Sequence, residues 1–361
     1  MTTISRRTLM KGVGAAATLS MIAGAARAQE EKIKVGFVFL GPIGDYGWTW
    51  AHNKGREAID AALGDKVETV YVENVAEDGS AVPVLRDLAQ QGCKLIFTCS
   101  YGYMDQTLQV AGEFPDVKFE HCTGFKRADN VATYNSRFHE GRAVLGTIAG
   151  KMSKDGKLGY LGSYKVPEVV LGVNAFALAA QKQNPAATVK LVLIDSWFDP
   201  PKEAAATETL INLGCDIVTT HTDSPGPLQI LEQKGLYGFG QGADMSQFAP
   251  KAHLTAIEDI WGPYYVARAQ AIVDGTWASA DTWDGMSDGT VVMSPYNEVI
   301  PADVVALADG VKNGYIDGSY NIFVGPIFDQ DGVERVKEGE VMTMEQLATI
   351  DWFVKGVESA A

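Results

Sequence analysis

From Glu30 onward the chain alternates short apolar runs with longer amphipathic stretches. Short Val/Ile/Leu/Phe-rich runs bounded by Gly, Asp or Ser are strand patterns. Their regular alternation with helical patterns predicts βα units around a parallel sheet. Strands are predicted over 33–40, 67–72, 95–99, 117–122, 158–161, 189–194, 217–220, 236–240 and 254–257. Apolar positions at helical spacing predict helices over 50–63, 82–91, 102–113, 141–152, 169–184 and 201–213. Further on, "IWGPYYVARAQAIVDG" (260–275) and "PADVVALADGVKNGYIDG" (301–318) read as helices. "GTVVMSP" (289–295) reads as a strand and "YNIFVGPIFD" (320–329) as the last one.

The pattern also repeats. "VETVYVENV" (67–75) aligns with "VKLVLIDSW" (189–197), and "LRDLAQQGCKLIFTCS" (85–100) aligns with "ETLINLGCDIVTTHT" (208–222). "VGFVFLG" (35–41) aligns loosely with "LGYLGSY" (158–164). One apolar strand can match another by chance, but a constant offset of about 122–123 across three matches marks paired supersecondary units. Two similar α/β lobes are expected, switching near 151–157. The last hundred residues are expected to return to the first lobe and then to the second. The boundaries read as 29–150 plus about 256–288 for lobe one, and 151–255 plus about 289–361 for lobe two, with a cleft between them.

Composition narrows the picture. The 361 residues are 46% hydrophobic and 21% charged, enough for two sizeable cores. A formal net charge of −15 with no basic patch argues against nucleic acid as a partner. Outside the N-terminus no apolar stretch approaches the ~18 residues needed to span a bilayer, so no stable membrane insertion is expected.

The first 28 residues read as a targeting signal. "SRRTLMKG" (5–12) sets two arginines before a weakly apolar Ala/Gly-rich stretch (13–26), and Ala26-Arg27-Ala28 offers small residues for cleavage after Ala28. The twin arginine resembles a Tat signal; a Sec signal that contains Arg-Arg is the other reading. Either implies export, and the periplasm is the expected location. Cleavage removes Arg6, Arg7, Lys11 and Arg27 and no acid, which takes the net charge from −15 to −19.

Candidate chemistry is sparse. Cys93, Cys99, Cys122 and Cys215 sit within or beside apolar runs, as buried free cysteines do. A Cys99–Cys122 bridge would need neighbouring strands. The five histidines (52, 121, 139, 221, 253) make no metal-binding spacing, and no metal or cofactor is expected. Neither G-x-S-x-G nor G-x-G-x-x-G follows a predicted strand, so an enzyme is not expected. A Tat-exported enzyme acting on a nucleoside stays as a distant reading.

What is plentiful is aromatic and polar residues at strand ends. In parallel α/β sheets the ligand crevice lies beyond the carboxyl ends of the strands. The loops there are "GPIGDYGWTW" (41–50), "NVAEDGS" (74–80), "SYGYMDQ" (100–106) and "TGFKRAD" (123–129) in the first lobe. The second lobe supplies "GSYKVPE" (162–168), "DSWFDPPKE" (195–203), "HTDSPGP" (221–227) and "GQGADMSQ" (240–247). Trp, Tyr, Phe, Asp, Ser and Gly in such numbers suit a pocket that stacks a flat ligand and hydrogen-bonds its edge.

"GDYGWTWAHNKG", "SYGYMDQTL", "EGRAVLGTIAGKM", "WFDPPKEAAA" and "GQGADMSQFAP…LTAIED", in this order, resemble the basic membrane protein family. These are substrate-binding proteins of ABC importers, similar to purine nucleoside receptors. The resemblance implies a type I periplasmic binding fold, with two Rossmann-like lobes and a multi-crossing hinge that close on a purine. It also implies a membrane permease as partner and a monomer in solution. Its loop motif falls on Asp45 and Trp48, with Trp48 as one stacking ring. The second stacking ring falls on Trp197 or Phe198, before the helix start Asp199-Pro200; a core ring is the other reading of Trp197. The motif after the third strand falls on Tyr103-Met104-Asp105, beside Tyr101; Asp105 either accepts from a ring N–H or caps the helix. Asp244 falls on the ribose side. Sugar-binding members carry a lysine where this chain reads Thr255-Ala256-Ile257-Glu258-Asp259. Its loss, with two large rings, favours a free base such as adenine or hypoxanthine. A purine nucleoside, or a sugar, is the alternative.

Overall fold

The computed structural model describes residues 31–44 and 46–359; the expected signal segment and Asp45 lie outside the described residues. The chain opens with β1 (Ile33–Val38), α1 (Trp48–Leu63), β2 (Val67–Val72), α2 (Ala81–Gln90), β3 (Cys93–Thr98), α3 (Met104–Glu113), β4 (Lys118–Cys122) and β5 (Val131–Ser136). A second run gives α4 (Phe138–Met152), β6 (Lys157–Gly162), α5 (Pro167–Gln183), β7 (Thr188–Leu193), α6 (Pro200–Asn212), β8 (Ile217–Thr220), α7 (Gly226–Lys234), β9 (Tyr237–Gly242) and β10 (His253–Asp259). The remainder is α8 (Gly262–Val273), β11 (Asp281–Asp284), β12 (Val291–Met293), α9 (Ala302–Asp317), β13 (Ile327–Phe328), β14 (Glu334–Val336), α10 (Met344–Ala348) and β15 (Val357–Ser359).

Besides the small pair β13-β14, two large sheets form, in the orders β2-β1-β3-β4-β5-β11 and β15-β7-β6-β8-β9-β10-β12. In these two all neighbours are parallel except β12, which runs antiparallel to β10. Within each lobe the first strand is flanked by the second and third, so the sequence repeat is a repeat of topology. That order makes the ends of β1 and β3, and of β6 and β8, the places where a crevice opens.

The strands read as apolar runs because both faces are covered. Phe37 and Phe39 enter a core with α1 and α8, while Val38 between them enters another with α2 and α3. In the second sheet Leu158 and Tyr160 pack with α4, α5 and α9, and Leu161 with α6 and α7. Helices α4 and α5 lie unusually close. A Cβ on Gly146 would stand 2.3 Å from the Phe176 carbonyl oxygen, and one on Gly150 2.5 Å from that of Ala180. This packing sets α4 on the second sheet, whereas the boundary expected from the sequence, between 150 and 151, assigns it to the first lobe.

The expected last strand over 320–329 is reduced to β13. It pairs only with β14, and the edge of the second sheet is β15 instead. Strand β5 and helix α7 have no counterpart in the predicted elements. The Cys99–Cys122 strands are neighbours, with Thr98 opposite His121, and all four cysteines are buried free thiols.

The chain passes between the sheets three times, after β5, after β10 and between β11 and β12. Arg137 ties the first and third passages by donating to Glu140 Oε1 at 2.6 Å, Asp288 Oδ2 at 2.9 Å and the Trp283 carbonyl. Ser136 Oγ donates to Asp259 Oδ1 at 3.1 Å and ties the first to the second.

Candidate functional site

The aromatic loop after β1 divides between the lobes. Tyr46 crosses to the second lobe, where its ring meets the edge of Phe248 at 4.3 Å beside Met245. Gly47 turns the chain at φ 85, and a Cβ there would sit 2.9 Å from the Asp223 carbonyl oxygen, so only glycine lets the lobes approach this closely. Trp48 begins α1. Its indole N–H donates to the Cys99 carbonyl at 2.6 Å, and its ring stands edge-on to His52 at 4.4 Å. Its backbone N–H donates across the cleft to Asp223 Oδ1 at 3.3 Å.

The loop after β3 is held by Glu77, whose Oε1 accepts from Ser100 Oγ and from the Gly102 N–H at 2.6 Å. Tyr101 lies between them and faces the cleft. Glu77 Oε2 accepts from the Trp197 indole N–H of the other lobe at 3.1 Å.

The second lobe is built the same way. Asp199 caps α6 by accepting from the Lys202 N–H at 3.1 Å, and the Asp-Pro-Pro start fixes the first turn. Glu203, fully buried, accepts from the Asp199 N–H at 3.0 Å. Its other oxygen takes Thr222 Oγ1 at 2.9 Å, the Ser224 N–H at 3.1 Å and Ser224 Oγ at 2.7 Å, which presents Asp223 to the cleft. Trp197 packs against Tyr164 at 5.4 Å and His221 at 6.3 Å. From α4, the buried Arg142 donates to Thr219 Oγ1 at 2.8 Å and to Gln241 Oε1, and lies over the Tyr160 ring.

These side chains line a narrow, largely closed cavity between the lobes. Leu40, Trp48, Ser100, Tyr101 and Thr123 line it from the first lobe; Glu168, Trp197, His221, Asp223 and Gln241 line it from the second. Its electrostatics favour neutral groups. Burial, with the Glu77 and Asp259 carboxylates, pushes the Glu168 carboxyl up to about 8. A place in the first turn of α5 favours the charged form by only ~0.3–1 kcal/mol, and burial wins. Burial and the Glu203 carboxylate push Asp223 up to about 7, against the Trp48 N–H, which lowers it. Burial and the Arg142 charge hold His221 well below the usual imidazole range. The buried Cys99 thiol is pushed up to about 12, far from a reactive thiolate. No group of three or more metal-ligating side chains occurs among the described residues. Such a cavity can stack rings and exchange hydrogen bonds with a ligand's edge.

Of the residues singled out in the sequence, Trp48, Tyr101 and Trp197 line the cavity together. Phe198 is exposed in an outer cleft with Leu40, Pro42 and Asn74. Tyr103 is fully buried in the first-lobe core, with its hydroxyl donating to the Val75 carbonyl at 2.5 Å. Asp105 is an exposed partner of Lys126 at 2.7 Å. Asp244 accepts from the Ser246 N–H at 2.8 Å and shapes a turn outside the cavity. Glu168, His221, Asp223 and Gln241 were not singled out, although each sits in a strand-end loop that was. A carboxyl group on a loop gives no sign in the sequence of which way it faces.

Two parallel-sheet lobes, three passages between them and an enclosed cavity at the strand ends define a solute-binding protein of the type I periplasmic architecture. The chain belongs to the Bmp family of PnrA-like ABC transporter substrate-binding proteins, whose model matches residues 32–317. Membership implies a small-molecule ligand, a transporter permease as partner and a working place outside the cytoplasmic membrane. No helix among the described residues is long and apolar enough to cross a membrane. A purine-binding protein of Brucella abortus (strain 2308) is 52% identical over 338 residues, covering 94% of this chain and 96% of that one. A Haloferax volcanii protein, provisionally named as the glucose-binding protein of an ABC transporter, is 30% identical over 93% of this chain and 83% of its own length. Among solved structures, a solute-binding protein from Aeropyrum pernix K1 matches with a TM-score of 0.71 at 18% identity. It covers 81% of this chain and 94% of that one, a likeness of fold alone.

Proposed function

We propose that the protein binds a purine between its lobes, a free base such as adenine or hypoxanthine, and hands it to a permease for import. The observation that carries this reading is the pair of indole rings, Trp48 from one lobe and Trp197 from the other, on the walls of one small cavity. Indoles stack well on flat heteroaromatic rings, by roughly 1–3 kcal/mol per base in nucleic-acid complexes. The polar groups beside them are carboxyl, amide and phenol, which suit ring N–H and N atoms. The purine-binding relative at 52% identity supports the same ligand class.

Trp48, Tyr101, Trp197, Glu168, Asp223 and Gln241 are the proposed ligand-binding residues. Export through the twin-arginine segment with cleavage after Ala28 would place the protein in the periplasm, and the monomer is the proposed working form. A sugar ligand is the second reading, favoured by the name of the 30% identical relative.

A thermal-shift panel on mature protein, freed of ligand by unfolding and refolding, tests the reading. Adenine, hypoxanthine, guanine, xanthine, their nucleosides, glucose and ribose are compared. A ligand at 100 times its Kd stabilises the folded state by about 2.7 kcal/mol, a readily measured rise in Tm. Shifts with bases alone are expected. Shifts with nucleosides but not bases would overturn the free-base reading, and shifts with sugars alone would overturn the purine reading.

A further inference from the structure

One carboxyl oxygen on the cavity wall has no hydrogen-bond partner among the described residues. Glu168 lies in the first turn of α5, its Oε2 is shielded from solvent, and that oxygen exchanges no hydrogen bond within the protein. Two neighbouring polar walls are each engaged through one oxygen: Asp223 Oδ1 accepts from the Trp48 N–H, and Gln241 Oε1 accepts from Arg142.

The groups around Glu168 come from several elements. Glu77 lies in the loop after β2, Asp259 at the end of β10, Tyr101 after β3, Cys122 at the end of β4 and Tyr160 in β6. Cations nearby are committed elsewhere. Arg127, across the cleft, holds Asp281 at 2.8 Å, and Arg142 holds Thr219 and Gln241. Lys165 is exposed over the Phe353 ring. A carboxyl beside the Glu77 and Asp259 carboxyl groups, with no cation paired to it and its Oε2 shielded from water, rests as a neutral acid with one O–H donor beside one C=O acceptor. An adjacent N–H and N on an unsubstituted purine edge is the complement of that pair. A sugar on the ring nitrogen removes the N–H and leaves the carbonyl oxygen of the acid without its donor, a loss that specificity arguments treat as large.

We propose that Glu168, as a neutral carboxyl, pairs with an N–H/N edge of the bound ring and is the residue that separates a free base from its nucleoside. This rests on the purine-base reading above. The proton stays on Glu168 and no bond is broken; the ligand supplies one donor and one acceptor.

The test is calorimetric titration of wild type, Glu168→Gln and Glu168→Ala with adenine and adenosine, from about pH 6.5 to about pH 9. If the neutral acid is the competent form, affinity is full at low pH. It weakens as pH rises through about 8, approaching tenfold per further unit. Glutamine keeps a donor and an acceptor but does not titrate. Glu168→Gln is therefore expected to bind adenine within about threefold of wild type at pH 6.5 and to lose the part of the alkaline fall that Glu168 causes. Measured side by side, the two proteins share any titration of adenine itself. Glu168→Ala is expected to lose adenine affinity by about 10–100-fold and to narrow the preference over adenosine.

Equal weakness of Glu168→Gln and Glu168→Ala would overturn the proposal, and so would an alkaline fall unchanged in Glu168→Gln. Should alanine fail to fold, the glutamine variant alone decides through its pH profile. Binding of adenosine in place of adenine by wild type would overturn the base-over-nucleoside role while leaving the carboxyl pairing to be judged with adenosine. Binding of neither would overturn the purine reading and this proposal with it.

Discussion

Glu77 and Glu203 perform matching tasks in the two lobes, with one difference. Each reaches from the connection after its lobe's second strand to the loop after its third. Glu203 holds Thr222 and Ser224; Glu77 holds Ser100 and Gly102, the positions one repeat earlier. The residue between, Asp223 in one lobe and Tyr101 in the other, faces the cavity. Glu203 is fully buried and spends its remaining oxygen on the Asp199 N–H of its own lobe. Glu77 is half-buried and spends its remaining oxygen on Trp197 across the cleft. The second-lobe loop is therefore complete in itself, while the first-lobe clamp is completed across the cleft by Trp197. A binding protein needs both, since a rigid half-site keeps down the ordering cost of binding and a second contact made on closure reports that the lobes have met.

Two substitutions would break that comparison, the larger effect first. Glu203→Ala strips the acceptor from four donors: two backbone N–H groups and the hydroxyls of Thr222 and Ser224. Buried donors left without partners cost about 1–3 kcal/mol each, less where water enters, so a stability loss of about 3 kcal/mol or more is expected in urea denaturation of the unliganded protein. Glu77→Ala, at a half-buried site that water can reach, is expected to cost about 1 kcal/mol of stability or less. Its larger effect falls on ligand affinity, weakened about tenfold, or about 1.4 kcal/mol. If Glu77→Ala destabilises the unliganded protein as much as Glu203→Ala does, the division between a rigid lobe and a reporting lobe is wrong.

The repeat that underlies this symmetry was legible because strand cores are apolar runs, and apolar runs survive comparison of a chain with itself. Strand β5, "VATYNS", was not, since its partners are polar: Thr133 donates to Asp281 at 2.7 Å, and Ser136 to Asp259. Helix α7 was hidden by its Gly-Pro start and short length. The strand-end rule found the loops around the cavity, because parallel topology alone fixes where strands end. It could not find which residue of each loop faces inward. That depends on turn geometry, such as the left-handed backbone of Thr123 at φ 57, and on anchors far away in sequence. So Tyr103 and Asp105, placed by the family motif, turn into the core and out to solvent, while Tyr101, singled out beside them and set between Glu77's two partners, faces the cavity. The alternation of Tyr46, Trp48 and Trp50 likewise gave no hint that Tyr46 would cross to the other lobe.

The smallest effect sharpens the comparison most. Trp197→Phe keeps an aromatic face at the cavity but removes the indole N–H that reaches Glu77 at 3.1 Å. Trp48 offers no equivalent test, because its N–H is held within its own lobe by the Cys99 carbonyl. Glu77 Oε2 can be rehydrated once Trp197 is gone, so the loss is that of one hydrogen bond, about 0.5–1.5 kcal/mol. Small as it is, it must appear in one place: a weaker affinity, by about two- to tenfold, with the Tm of the unliganded protein unchanged if the open form dominates without ligand. Small-angle scattering of the unliganded variant would then match wild type, while the liganded variant needs more ligand to reach the compact form. A lowered Tm with unchanged affinity would mean that the Trp197–Glu77 contact belongs to the resting protein, and that closure is reported somewhere else in the cleft.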